Sequence, residues 1–214
     1  GMLERYFNEA FHGAVAQSAA AFLRTVQVQE SVDVAHRVAA YEDAVAILRR
    51  QGRIVVAECI CRKQQGLLDR GCGKPREVCF MFGSMGQYYL DHGLGREVGT
   101  DEAVRLLMEA QRAGLVTQPA SAQNPSGMCN CCGDCCSVLR ALRLQPRPAV
   151  MVFSNHYATI EPSACTGCEA CLERCQMSAI VMDKDGRARL DRDRCIGCGL
   201  CVPVCPVEAI RLVP

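Results

Sequence analysis

The sequence predicts an α+β chain: a cysteine-rich α/β N-terminal domain followed by a smaller domain of pseudo-two-fold symmetry. Three observations carry this expectation. Segments with apolar residues at helical spacing alternate with short strand-like runs. Cysteine supplies 17 of the 214 residues. The C-terminal part repeats itself, the copy beginning at Ile160 returning at Leu190. The expected boundaries are an N-terminal helical segment at 1–40, a cysteine-rich metal-binding domain at 41–157 and the repeat domain at 158–214.

Composition narrows the function classes. Lys plus Arg is 24 against 23 for Asp plus Glu, a balance that favours neither nucleic acid nor a charged membrane surface. No apolar run approaches a membrane span. The cysteine count is odd, Glu4 and Glu9 sit where a secretory signal carries only positive charge, and the chain is too long to need staples. Reduced, metal-binding thiols in a reducing compartment, the cytoplasm, are therefore expected rather than disulfides. Gly1, ahead of Met2, reads as a tag remnant.

From the N-terminus, GMLERYFNEAFHGAVAQSAAAFLRTV reads as an amphipathic helix. A second helix carries Ala44, Val45, Ile47 and Leu48 on one stripe, with Arg49 and Arg50 in its last turn and Gly52 as its C-cap. RIVVAECICRK reads as a strand with Val55, Ala57, Cys59 and Cys61 on one face. Cys72 and Cys79 follow in the glycine-rich stretch DRGCGKPREVCFMFG, which lacks strong periodicity. Thr100 caps the next helix, where Asp101 and Glu102 favour the N-terminus, Val104, Leu107 and Met108 face a core, and Gly114 stops the helix. LVTQP is a short strand, and ASAQNPSG is a polar loop that delivers the chain into CNCCGDCC and a helix over SVLRALRL.

In the repeat, each copy carries C-x2-C-x2-C-x3-C: Cys165, Cys168, Cys171 and Cys175, then Cys195, Cys198, Cys201 and Cys205 followed by Pro206. This resembles the bacterial dicluster 2[4Fe–4S] ferredoxins. Three close cysteines reach three irons of a cubane, and in such ferredoxins the fourth cysteine of each run serves the other cluster. The resemblance implies cluster I on Cys165, Cys168, Cys171 and Cys205, and cluster II on Cys195, Cys198, Cys201 and Cys175. Gly167 and Gly197 lie where the loop turns close to inorganic sulfur. Strands are expected at Thr159–Ile160, Ile180–Met182, Arg187–Leu190 and Ile210–Val213, with a turn at Asp183–Gly186 and a short helix in each half. Two features depart from the pattern. The first run ends Cys175-Gln176 instead of Cys-Pro, and the segment from Thr159 carries eight acids and seven bases, without the acidity of small diffusible ferredoxins. A pair of zinc sites is the alternative reading of the eight thiols.

Nine cysteines remain: Cys59, Cys61, Cys72, Cys79, Cys129, Cys131, Cys132, Cys135 and Cys136. They are candidates for one or two further Fe–S clusters, for a structural zinc, or for free buried thiols. Side chains of adjacent cysteines diverge, so each CC pair is expected to give one ligand to a site or to serve two sites. A helix starting just before Asp134 would place Cys132 and Cys136 one turn apart. The eight cations between Arg49 and Arg76 read either as support for an anionic cluster or as a solvated basic face.

The blocks AECICRKQQGLLDRGCGKPREVCFMFG, GREVGTDEA and CNCC–CC, followed by the ferredoxin tail, resemble a group of 4Fe–4S-binding proteins of anaerobic bacteria and archaea, from about Tyr41 onward. That group implies the cofactor type but no substrate. Its members carry a further N-terminal helical domain, so a short homologue or a trimmed chain is expected. Cys131-Cys132-Gly133 also invites comparison with the heterodisulfide-reductase cysteine-rich domain, but the C-x2-C that would follow is already claimed by the repeat.

The histidines show no ligand spacing, Gly93–Gly95 lacks a Rossmann strand, and no P-loop or hydrolase motif is present. Phe80, Phe82, Tyr88 and Tyr89 read as core. The resemblances imply an iron–sulfur electron-transfer protein or oxidoreductase component. It would relay electrons between a redox partner protein and the cysteine-rich domain, without nucleic acid or membrane span, its oligomeric state open. The alternatives are a reductase with its active site at the Cys129–Cys136 block, and a redox sensor.

Overall fold

The computed structural model describes residues 1–17, 24–28, 43–122 and 124–214. The expected N-terminal helix forms as α1 (Met2–Tyr6), a π-helical turn (Phe7–Phe11) and α2 (His12–Gln17). It does not reach Val26: Arg24 bridges to Phe153 and Val26 to Thr117, so this stretch runs extended against other parts of the chain. The remainder of the expected 1–40 helical segment lies outside the described residues.

Helix α3 (Ala44–Arg49) starts at Asp43, whose Oδ1 accepts from Val45 N–H at 2.8 Å and Ala46 N–H at 3.1 Å. It ends on Arg50 in right-handed conformation, not on the expected Gly52. Strand β1 (Ile54–Glu58) is shorter than the sequence pattern implied. A register irregularity at Ala57/Glu58 ends it, and α4 (Ile60–Gly66) begins at once. Arg62, Lys63, Gln64 and Gln65 are good helix formers, so Cys61 lies in a first helical turn and not on a strand face.

The other elements are β2 (Glu77–Phe82), α5 (Gly83–Asp91), β3 (Gly95–Val98), α6 (Thr100–Arg112), β4 (Val116–Pro119), β5 (Gly127–Cys131) and α7 (Ser137–Arg143). Gly99, not Thr100, is the N-cap of α6, and Gly114 takes φ +80° just beyond its end. The helix expected from before Asp134 starts only at Ser137. The intervening turn still closes, since Cys136 N–H donates to Cys132 O at 3.1 Å.

The five strands form one antiparallel sheet in the order β3-β1-β2-β5-β4. Alternation gives the two faces different tasks. Ile54, Val56, Phe80, Phe82 and Met128 join Ala44, Ile47, Leu48, Ala103 and Leu107 in a core under α3 and α6. The opposite face carries Cys79, Cys129 and Cys131. There α5 lies so close that a Cβ at Gly86 would stand 3.1 Å from Met81 O. Tyr88, on α5, is half-exposed and not core.

Residues after the Pro148–Met151 turn build two small antiparallel ribbons. In one, β6 (Tyr157–Ile160) pairs with β9 (Ile210–Val213), so the start of the repeat meets its end; in the other, β7 (Ile180–Met182) pairs with β8 (Ala188–Leu190). The first half contains α8 (Ala170–Arg174), whereas the second forms turns where a helix was expected. Pro203 and Pro206 remove backbone donors there and disfavour helix at the residues before them.

The N-terminal helices pack on this chain. Glu4 is buried, and its Oε1 accepts from Arg140 Nη2 at 2.6 Å while its Oε2 accepts from Gln65 Nε2 at 2.9 Å. One carboxylate thus joins α1, α4 and α7.

Candidate metal centres

The repeat forms two partly open cavities, with about 340 and 370 Å³ of space that extends into solvent. Cys165, Cys168, Cys171 and Cys205 line the first, with Ile160, Met182, Ala188 and Ile210 as apolar wall. Cys175, Cys195, Cys198 and Cys201 line the second, with Met177, Ile180, Ile196 and Leu200. Each cavity therefore receives three cysteines from one run and the fourth from the other. Backbone N–H groups point at the sulfurs: Ala188 to Cys165 at 3.4 Å, Ala179 to Cys175 at 3.3 Å, Ala209 to Cys205 at 3.2 Å. Such donors stabilise charge on a metal-bound thiolate. The loops need their glycines, for at Gly167 (φ +73°) and Gly197 (φ +68°) a Cβ would strike the carbonyls of Gly186 and His156 respectively.

The thiol electrostatics follow the same grouping. Burial raises the Cys171 thiol, and the facing Cys165, Cys168 and Cys205 add to the shift. Burial pushes Cys198 up to about 12, with Cys175 and Cys195 contributing. Cys165 goes the other way, because the Ala188 and Gly167 N–H groups favour its thiolate. Four anions held this closely need positive charge between them, which cluster iron supplies. The four-thiol lining and the N–H donors both fit a cubane in each cavity.

The nine remaining thiols fall into two groups around β5. Cys72, Cys132 and Cys135 form a triad whose sulfurs all lie within 4.8 Å of one another, the only such set among the described residues. Cys72 and Cys132 are 3.6 Å apart. These three could hold a metal ion. The other six are placed together by register and packing: Cys79 faces Cys129 across β2 and β5, Cys61 Sγ stands 3.9 Å from Ser137 Oγ beside Cys136, and Cys129, Cys131 and Cys136 share one cluster, while Cys59 responds electrostatically to Cys61 and Cys79. Both CC pairs are split between the groups, Cys131 and Cys136 going to the ring, Cys132 and Cys135 to the triad.

Of the eight cations between Arg49 and Arg76, only Arg62 is buried. Its Nη2 donates to Asn130 O at 3.0 Å and its Nη1 faces Cys132 Sγ at 3.7 Å. Its Nε has no acceptor among the described residues. Burial alone would lower the Arg62 pKa, but Cys59, Cys132 and Cys79 around it turn the shift upward. Burial likewise pushes the Cys132 thiol up, yet the Cys135 N–H and Arg62 prevail and hold it below its ordinary value. Arg62 therefore stands between the two groups. Nothing in the sequence distinguishes it from its seven exposed or half-exposed neighbours.

The cysteine-rich part and the repeat share a core. Cys131, Cys136, Leu139 and Leu142 pack with Met177, Ala179, Ile196 and Leu200, and Cys129, Cys175, Cys195 and Cys198 border the same cluster. The closest polar junction is Gly133, whose N–H donates to Gln176 Oε1 at 2.7 Å, buried from solvent. Gly133 follows Cys132 and Gln176 follows Cys175, so few bonds separate the triad from the second cavity. Arg174 Nη2 donates to Gln111 O at 2.9 Å and Arg194 Nη2 to Arg143 O at 3.1 Å across the same contact.

The paired four-thiol cavities of the repeat define an iron–sulfur domain, packed against an antiparallel sheet beside which a three-cysteine group could bind a metal. Residues 158–212 match the family described as a 4Fe-4S dicluster domain. That domain implies two [4Fe–4S] clusters and electron transfer. No curated protein and no solved structure matches the chain. Among the described residues, no helix is long and apolar enough to cross a membrane.

Proposed function

We propose that this chain is an iron–sulfur relay, passing electrons through two [4Fe–4S] clusters to or from a further metal centre in residues 41–157. Cluster I would be held by Cys165, Cys168, Cys171 and Cys205, and cluster II by Cys195, Cys198, Cys201 and Cys175. The grouping of four thiols around each cavity supports these sets. The observation that carries the relay is the buried Gly133–Gln176 hydrogen bond. It links the residue after a cluster II thiol to the residue after a triad thiol, so electrons would leave the repeat by its inner cavity. A redox partner protein would then meet cluster I, where Cys168 is exposed. The protein's part in this is to set spacing, burial and N–H···S bonding.

The test is anaerobic stopped-flow reduction followed at cluster absorbance and by freeze-quench EPR. Cluster I should be reduced first and the cysteine-rich centre last. Equal and independent reduction of all centres by the mediator would overturn the relay.

A second reading, a reductase with its active site at Cys129–Cys136, is favoured by one feature. The triad supplies three sulfurs, and a single tetrahedral ion bound there keeps a fourth position for a substrate or water. It requires that small oxidants reoxidise the reduced protein with saturation kinetics that Cys72→Ser abolishes.

A further inference from the structure

We propose that Cys59, Cys61, Cys79, Cys129, Cys131 and Cys136 line one polynuclear iron–sulfur site, separate from the Cys72–Cys132–Cys135 triad. This rests on the reading of the chain as an iron–sulfur protein and adds which thiols hold the additional cluster.

Four elements bring the six together. Register alone places Cys79 on β2 opposite Cys129 on β5, since Phe80 faces Met128 and Met81 faces Gly127. Cys131 lies two residues further on β5 and shares that face. Cys59 leaves β1 at the adjacent edge as the residue before α4, Cys61 follows in the first turn, and Cys136 immediately precedes α7. Four of the six are at most 7% exposed.

Spacing decides what such a ring can bind. With metal–sulfur bonds of about 2.3 Å, thiolates sharing one tetrahedral ion lie about 3.8 Å from each other. The triad has that compactness. No three of the ring sulfurs lie within 4.8 Å of one another. A mononuclear zinc, or a two-zinc centre in which each ion still gathers four sulfurs, would need such sets. Among the eight dicluster thiols, too, no three lie within 4.8 Å of one another, as expected where each sulfur takes its own iron. The buried Arg62 guanidinium offsets anionic charge from the side, and backbone N–H groups of Arg62, Ser137 and Leu139 favour the thiolate forms of Cys59, Cys61 and Cys136. A core packed with neutral thiols would need neither the cation nor these donors.

The experiment measures iron, acid-labile sulfide and zinc per chain on anaerobically purified full-length protein, with alkylation and mass spectrometry to show which cysteines are protected. Wild type should hold clearly more than the eight irons of the dicluster domain, with matching sulfide, and all six ring cysteines should resist alkylation. Cys79→Ser and Cys131→Ser should each lose the iron and sulfide beyond eight while keeping the dicluster EPR signal, which also reports folding. Cys72→Ser should keep that additional iron and sulfide. Eight irons with the ring cysteines alkylated or disulfide-bonded would overturn the proposal and leave the dicluster reading standing. Zinc in place of the additional iron, or its equal loss in Cys72→Ser and Cys79→Ser, would overturn it as well. Failure of the dicluster signal in wild type would instead sink the reading on which the proposal rests.

Discussion

At the scale of single residues, position 133 shows how closely the two halves fit. A Cβ at Gly133 would overlap the Gln176 carbonyl oxygen, a backbone atom that cannot give way cheaply. Gly133→Ala should therefore destabilise the protein by about 2 kcal/mol and pry the CNCCGDCC turn from the repeat. Thermal unfolding and the rate of electron exchange between the halves would read both effects. Gln176 faces it. Gln176→Leu leaves the Gly133 N–H buried without an acceptor, costing about 1–3 kcal/mol, whereas Gln176→Glu keeps an acceptor and should retain most of the exchange rate. In the dicluster pattern proline stands at this position. The departure, visible in the sequence as a mere Cys-Gln, acquires its meaning only when the side chain is seen to cross to Gly133.

Among elements, the clearest dependency is the clamp at Glu4. Arg140 holds its carboxyl below the usual glutamate range, with Gln65 and Arg70 contributing, against the upward pull of burial. A carboxyl whose folded pKa is depressed stabilises the fold fully above its unfolded pKa, and the contribution is lost as pH falls through the folded value. Glu4→Gln should lower stability by about 2 kcal/mol at neutral pH. The variant and wild-type melting temperatures should converge as pH drops below the ordinary glutamate range. A constant gap across pH would assign the loss to packing instead. The strand–helix junctions tell a related story. The alternation in RIVVAECICRK suggested two thiols on one strand face, but alternation cannot say where pairing stops. Partner strands decide that: β3 pairs no further than Ala57, and β2 no further than Glu58 after a register break.

For the whole molecule, the proposed exchange of fourth ligands makes a sharp prediction. Cys205→Ser, a change in the second run, should damage the centre built on Cys165, Cys168 and Cys171. Cys175→Ser, in the first run, should damage the one built on Cys195, Cys198 and Cys201. Each variant should keep about four of the eight dicluster irons and lose the magnetic coupling between reduced cubanes seen by EPR. The two should also differ in function. Cys175→Ser removes the cluster adjoining Gln176 and should silence electron exchange with the cysteine-rich part, while Cys205→Ser should slow electron entry from outside. Loss of the cluster built on the substituted cysteine's own run would contradict the exchange, and identical kinetics from the two would contradict the direction of the relay.

The dicluster domain was legible in the sequence because its chemistry is local. Three ligands within seven residues define a loop, and an exact duplication states that there are two. The α+β class followed equally from periodicity and from that repeat. The sorting of the other nine thiols had no such local signature. Neighbours in sequence, Cys131 and Cys132 or Cys135 and Cys136, go to different groups because adjacent side chains point apart. Cys79 and Cys129, fifty residues apart, meet because two strands pair in one register. Arg62 was one cation of eight until burial singled it out. Ligand spacing within a loop is a property of the chain itself, whereas ligand sets gathered across a sheet depend on strand order and register, which only the packed tertiary structure decides.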